Sequence, residues 1–165
     1  MKFSSKKIAM GGLIAALYVV ITMIAIALGL SSGVIQFRIS EALCILPMFT
    51  AAAIPGLTIG CLIANILAGG VFGDVVFGAV ATLIGAIGTR LLRKNRWMAP
   101  LCPVVSNMVI VPFILIYAYH VQDAYFYLLF TVGVGELVCA YILGQVLYTV
   151  LQKRNILSRI SIGEK

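Results

Sequence analysis

Long apolar runs alternate with short polar segments along this chain, and they predict helices that cross a lipid bilayer. The first run, Ile8 to Leu30, contains 23 residues without a charge, and a helix of that length spans about 30 Å of hydrocarbon. Two more long runs follow Arg96, separated by the polar segment HVQDA. We therefore predict membrane helices at approximately residues 8–30, 99–119 and 125–151.

The middle of the chain, Val34 to Thr89, is also apolar but carries several helix breakers. Pro47 and the pair Pro55-Gly56 interrupt its first part, and the segment GGVFGD interrupts its second part. We predict three helices in this part of the chain, and the first two of them are short and irregular. Because irregular backbone at membrane depth is tolerated only where protein or a cavity covers it, this region is a candidate binding site. The helices predicted here cover approximately residues 40–54, 56–68 and 74–92.

Basic residues are concentrated in three clusters, each beside an apolar run, and their positions predict the topology. The positive-inside rule places such clusters on the cytoplasmic side, so an even number of helices separates consecutive clusters. Six helices with cytoplasmic N- and C-termini satisfy this condition. The net charge of +7 is therefore attributed to topology rather than to nucleic-acid binding. The clusters are Lys2, Lys6 and Lys7; Arg90, Arg93, Lys94 and Arg96; and Lys153, Arg154, Arg159 and Lys165.

The composition places the chain among integral membrane proteins. Hydrophobic residues make up 62% of the chain and charged residues only 10%, which is too little polar surface to cover the apolar side chains in water. The N-terminal lysines are also typical of a signal peptide, but the first apolar run exceeds the usual signal-peptide core of about 7–15 residues. We predict one all-α membrane domain over residues 1–165, without a second domain or an internal repeat.

Three acidic residues lie in or beside the apolar runs. A charge at the bilayer centre costs about 2.5–3.5 kcal/mol, so each acid is expected to have a partner or a function. Glu41 follows Arg38 by one helical turn, which allows an ion pair at the start of the second helix. Asp74 begins the fourth helix, where N-capping is the simplest interpretation. Glu136 lies several residues inside the sixth helix, and a binding function is the better interpretation.

Two asparagines add amide groups to these acids. Asn65 lies on a face of small residues in the third helix, and Asn107 lies between two prolines in the fifth helix. A hydrogen bond between helices explains either amide alone equally well. Together with the acids, however, the amides place polar groups on four different helices, and one shared polar chamber is the economical arrangement. Its predicted members are Glu41, Asn65, Asn107 and Glu136.

Motifs for catalysis or metal binding are weak. The segment GLSSG, residues 29–33, matches G-x-S-x-G, but a nucleophile elbow requires a strand-turn-helix context. The single histidine, His120, lies beside a polar loop, which disfavours an intramembrane serine protease built on Ser31. The four cysteines are scattered through apolar helices without metal-ligand spacing. No Walker motif is present, so we expect no cofactor and no ATPase activity of the chain alone.

A family resemblance is carried by four segments, FRISEAL (37–43), AAIPGLTIGCLIANILAGG (52–70), DVVFGAVATL (74–83) and GVGELVCAYILG (133–144). With these segments the chain resembles, over nearly its whole length, the QueT-type queuosine-precursor transporters, which are substrate-binding S components of energy-coupling factor (ECF) transporters. The resemblance implies a six-helix binding protein that captures a micronutrient from outside. It also implies docking on an energising module of one transmembrane protein and two ATPase subunits.

The ligand that this family implies suits the predicted polar residues. A deazaguanine presents a ring N–H beside an exocyclic amine, and one carboxylate can accept both. Several queuosine precursors also carry a protonated amine, which a second carboxylate can neutralise. The expected substrate site comprises the four chamber residues together with Arg38 and Asp74, and Arg38 compensates Glu41 in the empty pocket. Which acid binds which end of the ligand stays open.

Small residues on the first helix are the expected docking surface. The resemblance implies that this helix meets the coupling protein, and Gly11 with Ala15, and Gly12 with Ala16, are spaced for close helix approach. Packing within the same chain is the alternative for all four. Three other functions stay open: an S component for another vitamin, a self-contained transporter or channel and, least favoured, an intramembrane enzyme.

Overall fold

The computed structural model describes residues 5–30 and 37–154, and the regular elements within these two ranges are all helical. Three helices are long and apolar enough to cross a membrane: Ser5–Ala27, Phe72–Leu91 and Tyr125–Lys153. The prediction of an all-α fold is confirmed for this part of the chain. Three basic cluster residues, Lys2, Arg159 and Lys165, lie outside the described ranges, and so does Ser31 of the GLSSG match.

The shorter helices differ from the prediction in their geometry and boundaries. The segment predicted at 40–54 forms a 3₁₀ helix, Ile39–Met48. Because a 3₁₀ helix rises about 2.0 Å per residue against about 1.5 Å in an α-helix, these few residues extend about 20 Å instead of 15 Å. Pro55 was predicted to separate two helices, but it lies in the first turn of the next one, where its missing N–H is harmless. The regular helices are α1, Ser5–Ala27; α2, Ala53–Leu67; α3, Phe72–Leu91; and α4, Leu101–Tyr117.

The last described helix is continuous from Tyr125 to Lys153 but changes its geometry in the middle. Regular turns in α5, Tyr125–Glu136, and α6, Gly144–Lys153, flank a π-helical stretch, Leu137–Leu143, which we call the π segment. Both the 3₁₀ helix and α4 pack against the π segment. Glu136 is therefore held at the point where the regular helix gives way to π geometry.

Glycines allow α1 and α2 to pack in direct backbone contact. A Cβ atom on Gly56 would lie 2.6 Å from the carbonyl oxygen of Gly11, and one on Gly60 would lie 2.9 Å from Cβ of Tyr18. Both distances are shorter than any real contact, so only glycine fits at these two positions of α2. The close approach brings Tyr18 of α1 into the core, where it is 1% exposed.

The two ends of the helix bundle differ in charge. Arg90 at the end of α3 donates a hydrogen bond to the carbonyl oxygen of Pro47 at 3.1 Å, and Gln145 of α6 donates one to the carbonyl oxygen of Arg96 at 2.6 Å. These contacts place the second basic cluster at the end of the bundle where α6 runs out to Lys153. The start of α1 lies at the same end, because Gly11 approaches the carbonyl oxygen of Ala52, and we call this end the basic end. The opposite end, which we call the cavity end, contains Arg38.

Candidate functional site

A cavity of about 420 Å³ lies at the cavity end of the bundle. Its wall combines residues from α1, α2, α3 and α4 with the residue that precedes the 3₁₀ helix. Most of the lining is apolar, and a few polar groups converge on it, which is the usual make-up of a small-molecule site. The polar side chains in the wall are those of Thr22, Arg38, Asn65, Asp74 and Tyr119.

Asp74 is the carboxylate that faces the cavity, and its two oxygens meet different groups. Tyr119 donates its hydroxyl hydrogen to Oδ2 at 2.9 Å, and the Arg38 guanidinium lies 3.7 Å from Oδ1. The prediction that Asp74 caps its helix is wrong, because α3 begins two residues earlier at Phe72 and has no side-chain cap. Asp74 instead lies in the first turn, where the helix dipole favours a negative charge.

Arg38 pairs with Asp74 and not with Glu41, which corrects the ion pair expected from their spacing. The backbone of Arg38 is not helical, with φ −92° and ψ 80°. A separation of three residues brings two side chains together only when both belong to the helix. The side chain of Arg38 therefore points to the start of α3, and its guanidinium closes one side of the cavity.

Asn65 holds the end of α2 against the start of α3. Its Nδ2 donates a hydrogen bond to the backbone carbonyl of Asp74 at 3.2 Å. A Cβ atom at Gly78 would lie 2.8 Å from this Nδ2, so α3 can approach only because position 78 is glycine. Asn65 thus shapes the cavity wall and also fixes the backbone of the cavity-facing acid.

Glu41 lies beneath the cavity and is fully buried, at 0% exposed. The hydroxyl of Tyr18 donates a hydrogen bond to its Oε1, and the thiol of Cys44 donates one to its Oε2 at 3.0 Å. The preceding residue, Ser40, accepts a hydrogen bond from Thr22 at 2.8 Å. Because Thr22 lines the cavity, Glu41 lies directly behind the cavity wall.

Glu136 and Asn107 belong to the same buried layer, at 5% and 4% exposed. The carboxylate of Glu136 lies beside the side-chain amide of Asn107. It is also close enough to Glu41 and Arg38 for their charges to act on it. Its Oε2 atom has no hydrogen-bond partner within residues 5–30 and 37–154. The adjoining π segment is typical of functional sites.

The six predicted substrate-site residues therefore occupy two layers. Three of them, Arg38, Asn65 and Asp74, line the cavity. The other three, Glu41, Asn107 and Glu136, lie beneath it, and Arg38 is near both layers. The single chamber stays a prediction, because the cavity is lined by the upper layer and the three residues of the lower layer are buried behind its wall.

Three hydroxyl groups of the site are not singled out by sequence reasoning. Tyr119 follows the end of α4, and its hydroxyl donates a hydrogen bond to Asp74. Tyr18 and Thr22 lie one turn apart in α1, so their polar groups share one face of an otherwise apolar helix. That pair is a signal for a polar interior, since a buried tyrosine hydroxyl usually has a partner.

The small residues of α1 divide into two groups. Gly11 contacts α2 at the position where a Cβ on Gly56 would collide with its carbonyl oxygen, and Ala15 is buried at 8% exposed. Both residues therefore take part in packing within the chain, and their expected role in docking stays a prediction. Gly12 and Ala16 are exposed, and a Cβ on Gly12 would meet nothing within 4 Å.

Comparison with known proteins gives one family. The family model described as QueT transporter matches residues 8–153 of this chain. The queuosine precursor transporter QueT of Lactococcus lactis subsp. cremoris (strain MG1363) is 42% identical over 72 residues, which are 44% of this chain and 42% of that protein. The aligned region thus spans less than half of this curated relative. No solved structure matches the chain significantly.

Proposed function

Because the chain belongs to the QueT transporter family, we propose that it binds a queuosine precursor, a deazaguanine, for import through the cell membrane. Because this family is a family of transporters, the chain is a membrane transport protein and not an enzyme. In the proposal it is the S component of an ECF importer. It captures the substrate from outside and docks on a module of one transmembrane protein and two ATPase subunits.

The cavity beside the Arg38–Asp74 pair is the observation that carries this proposal. Its volume of about 420 Å³ lies in the range of about 300–1,000 Å³ that is common for small-molecule sites. A carboxylate offers about four lone pairs, and Asp74 uses one of them for Tyr119. The Arg38 contact of 3.7 Å is too long for a hydrogen bond. Asp74 therefore has acceptor capacity for the ring N–H and exocyclic amine of the base.

The position of the cavity supports capture from outside the cell. It lies at the end of the bundle opposite the basic end, and the positive-inside rule assigns the basic end to the cytoplasm. The six helical segments then correspond to six crossings with cytoplasmic termini. The shorter crossings are compatible with a bilayer because neighbouring helices cover their irregular backbone.

The exposed face of α1 supports docking on a coupling protein. Gly12 and Ala16 are four residues apart and exposed, and small residues at this spacing let a second membrane helix approach closely. In the proposal these two residues form the contact, while Gly11 and Ala15 hold α1 to α2.

Binding and uptake measurements test the proposal together. Calorimetric titration of the purified protein with a deazaguanine precursor should show one saturable site, and a panel of vitamins should show none. Uptake into liposomes should require the energising module and ATP. Binding of a vitamin in place of the deazaguanine would indicate an S component for another nutrient. Uptake by the chain alone would indicate a self-contained transporter.

A further inference from the structure

The buried acids beneath the cavity have no use in the base site described above. Glu41 and Glu136 are 0% and 5% exposed, and Asp74 is a third acid at the same end of the bundle. Within the described ranges, Arg38 is the one Lys or Arg at the cavity end. Its ion pair is with Asp74. The lower layer therefore lacks a cation of its own.

Glu136 is the member of this layer with free acceptor capacity. Both oxygens of Glu41 accept hydrogen bonds, from Tyr18 and from Cys44. The Oε2 atom of Glu136, in contrast, is buried without a partner in the part of the chain that the structure describes. A buried acceptor without a donor is costly, and a buried charge without a counter-charge is more costly. An ammonium group supplies both at once, since it carries three donors and a positive charge.

We propose that Glu136, backed by Glu41, forms a second subsite that receives a protonated amine of the substrate, while Asp74 holds the base. This inference rests on the proposed function and assigns a separate acid to each end of the ligand. It concerns deazaguanine precursors that carry an aliphatic amine. A precursor without the amine occupies only the upper subsite.

Arg38 and Thr22 lie between the two subsites. Arg38 lines the cavity and is within electrostatic range of Glu136, and Thr22 connects the cavity wall to Ser40, the neighbour of Glu41. The proposal requires the Arg38 side chain to change its rotamer when a ligand that carries the amine binds. The incoming ammonium group then takes over the neutralisation of the buried acids.

A pair of ligands that differ in one substituent, a protonated amine in one and a neutral nitrile in the other, tests the second subsite. The amine is an aminomethyl deazaguanine, and its control is the deazaguanine with a nitrile at the same position. Titration of the parent protein should give binding of the amine tighter than that of the nitrile by about tenfold to a hundredfold, the range of a hydrogen bond to a charged group. Glu136→Gln should bring this ratio close to one. Asp74→Asn should weaken both ligands by the same factor and leave the ratio unchanged.

Each other outcome rejects a specific part of the proposal. Equal affinities in the parent, or a ratio that persists in Glu136→Gln, would overturn the second subsite even though the base site stands. Nitrile binding that strengthens when sodium replaces choline in the buffer would assign the subsite to an inorganic cation instead. If neither ligand binds the parent, the proposed function itself is wrong. Thermal melting without ligand checks the fold of Glu136→Gln. If that variant unfolds, Glu41→Gln is measured in its place. An amine-to-nitrile affinity ratio in Glu41→Gln equal to that of the parent would overturn the second subsite.

Discussion

Asp74 carries the negative charge of the cavity wall, and its neutral isostere tests the base site. Asp74→Asn keeps the shape of the side chain but removes the charge that, in the proposed function, accepts the donor edge of the base. We expect deazaguanine binding to weaken by about 1.5–3 kcal/mol, the range for hydrogen bonds to charged groups. Titration of the purified variant measures this loss. Tyr119→Phe is the matched control, because it removes one neutral donor from the same carboxylate and should cost less.

Tyr18 has a structural role that can be separated from ligand binding. Tyr18→Phe removes the hydroxyl that donates to the buried Glu41, so one oxygen of that acid is left without its donor. We expect the free energy of unfolding to fall by about 1–3 kcal/mol, which appears as a lower melting temperature without ligand. Tyr125→Phe is the control, since its hydroxyl bonds a backbone carbonyl at an exposed position. Equal melting temperatures of the two variants would contradict this role of Tyr18.

At the scale of elements, two irregular helices position the buried acids. Glu41 lies in the 3₁₀ helix, and Glu136 lies at the boundary of the π segment. The two elements pack against each other, so their altered turns bring the two carboxylates into one layer. Regular α geometry in the 3₁₀ helix would rotate Glu41 about the helix axis, because the number of residues per turn differs between the two helix types.

The first helix has two faces, and one substitution on each face distinguishes docking from packing. Gly12→Leu introduces a side chain where nothing lies within 4 Å, so folding and ligand binding should persist. Under the proposed function it should abolish ATP-dependent uptake, because leucine holds the coupling protein's helix away. Uptake assays with the energising module, alongside titration of the purified variant, make the measurement.

Gly56→Leu is the matched control on the inner face. A Cβ there would lie 2.6 Å from the Gly11 carbonyl oxygen, so this variant should lose folding and ligand binding together. Normal uptake by Gly12→Leu would contradict docking at this position. Loss of ligand binding in Gly12→Leu would assign position 12 to the internal packing of the chain.

The whole molecule is expected to cross the membrane six times with the cavity outside. Single cysteines introduced at Lys2, Arg93 or Arg154, in a background without the native cysteines, should be inaccessible to an impermeant thiol reagent applied outside cells. Cysteines introduced at Arg38 or Asp123 should be labelled under the same conditions. Labelling at position 93 from outside would contradict the six-crossing topology.

Much of the fold could be predicted from the sequence because the bilayer sets a length and a polarity that local sequence must match. The prediction of all-helical structure from the apolar runs is confirmed in the described ranges, and the motifs around Glu41 and Glu136 led to the family that the comparison confirms. The helix boundary near Pro55 was placed wrongly. A proline there is compatible with a break and with the first turn of a helix, and only packing decides between them.

The sequence by itself determined which residues are costly in a membrane, since a carboxylate or guanidinium is costly there whatever its neighbours are. Only the tertiary structure decided their partners. Arg38 pairs with Asp74, which is distant in the chain, and Glu41 bonds Tyr18 of another helix. The physical reason is that a partner must lie within a few ångströms in space, and the packing of the 3₁₀ helix against α1 and α3 sets those distances.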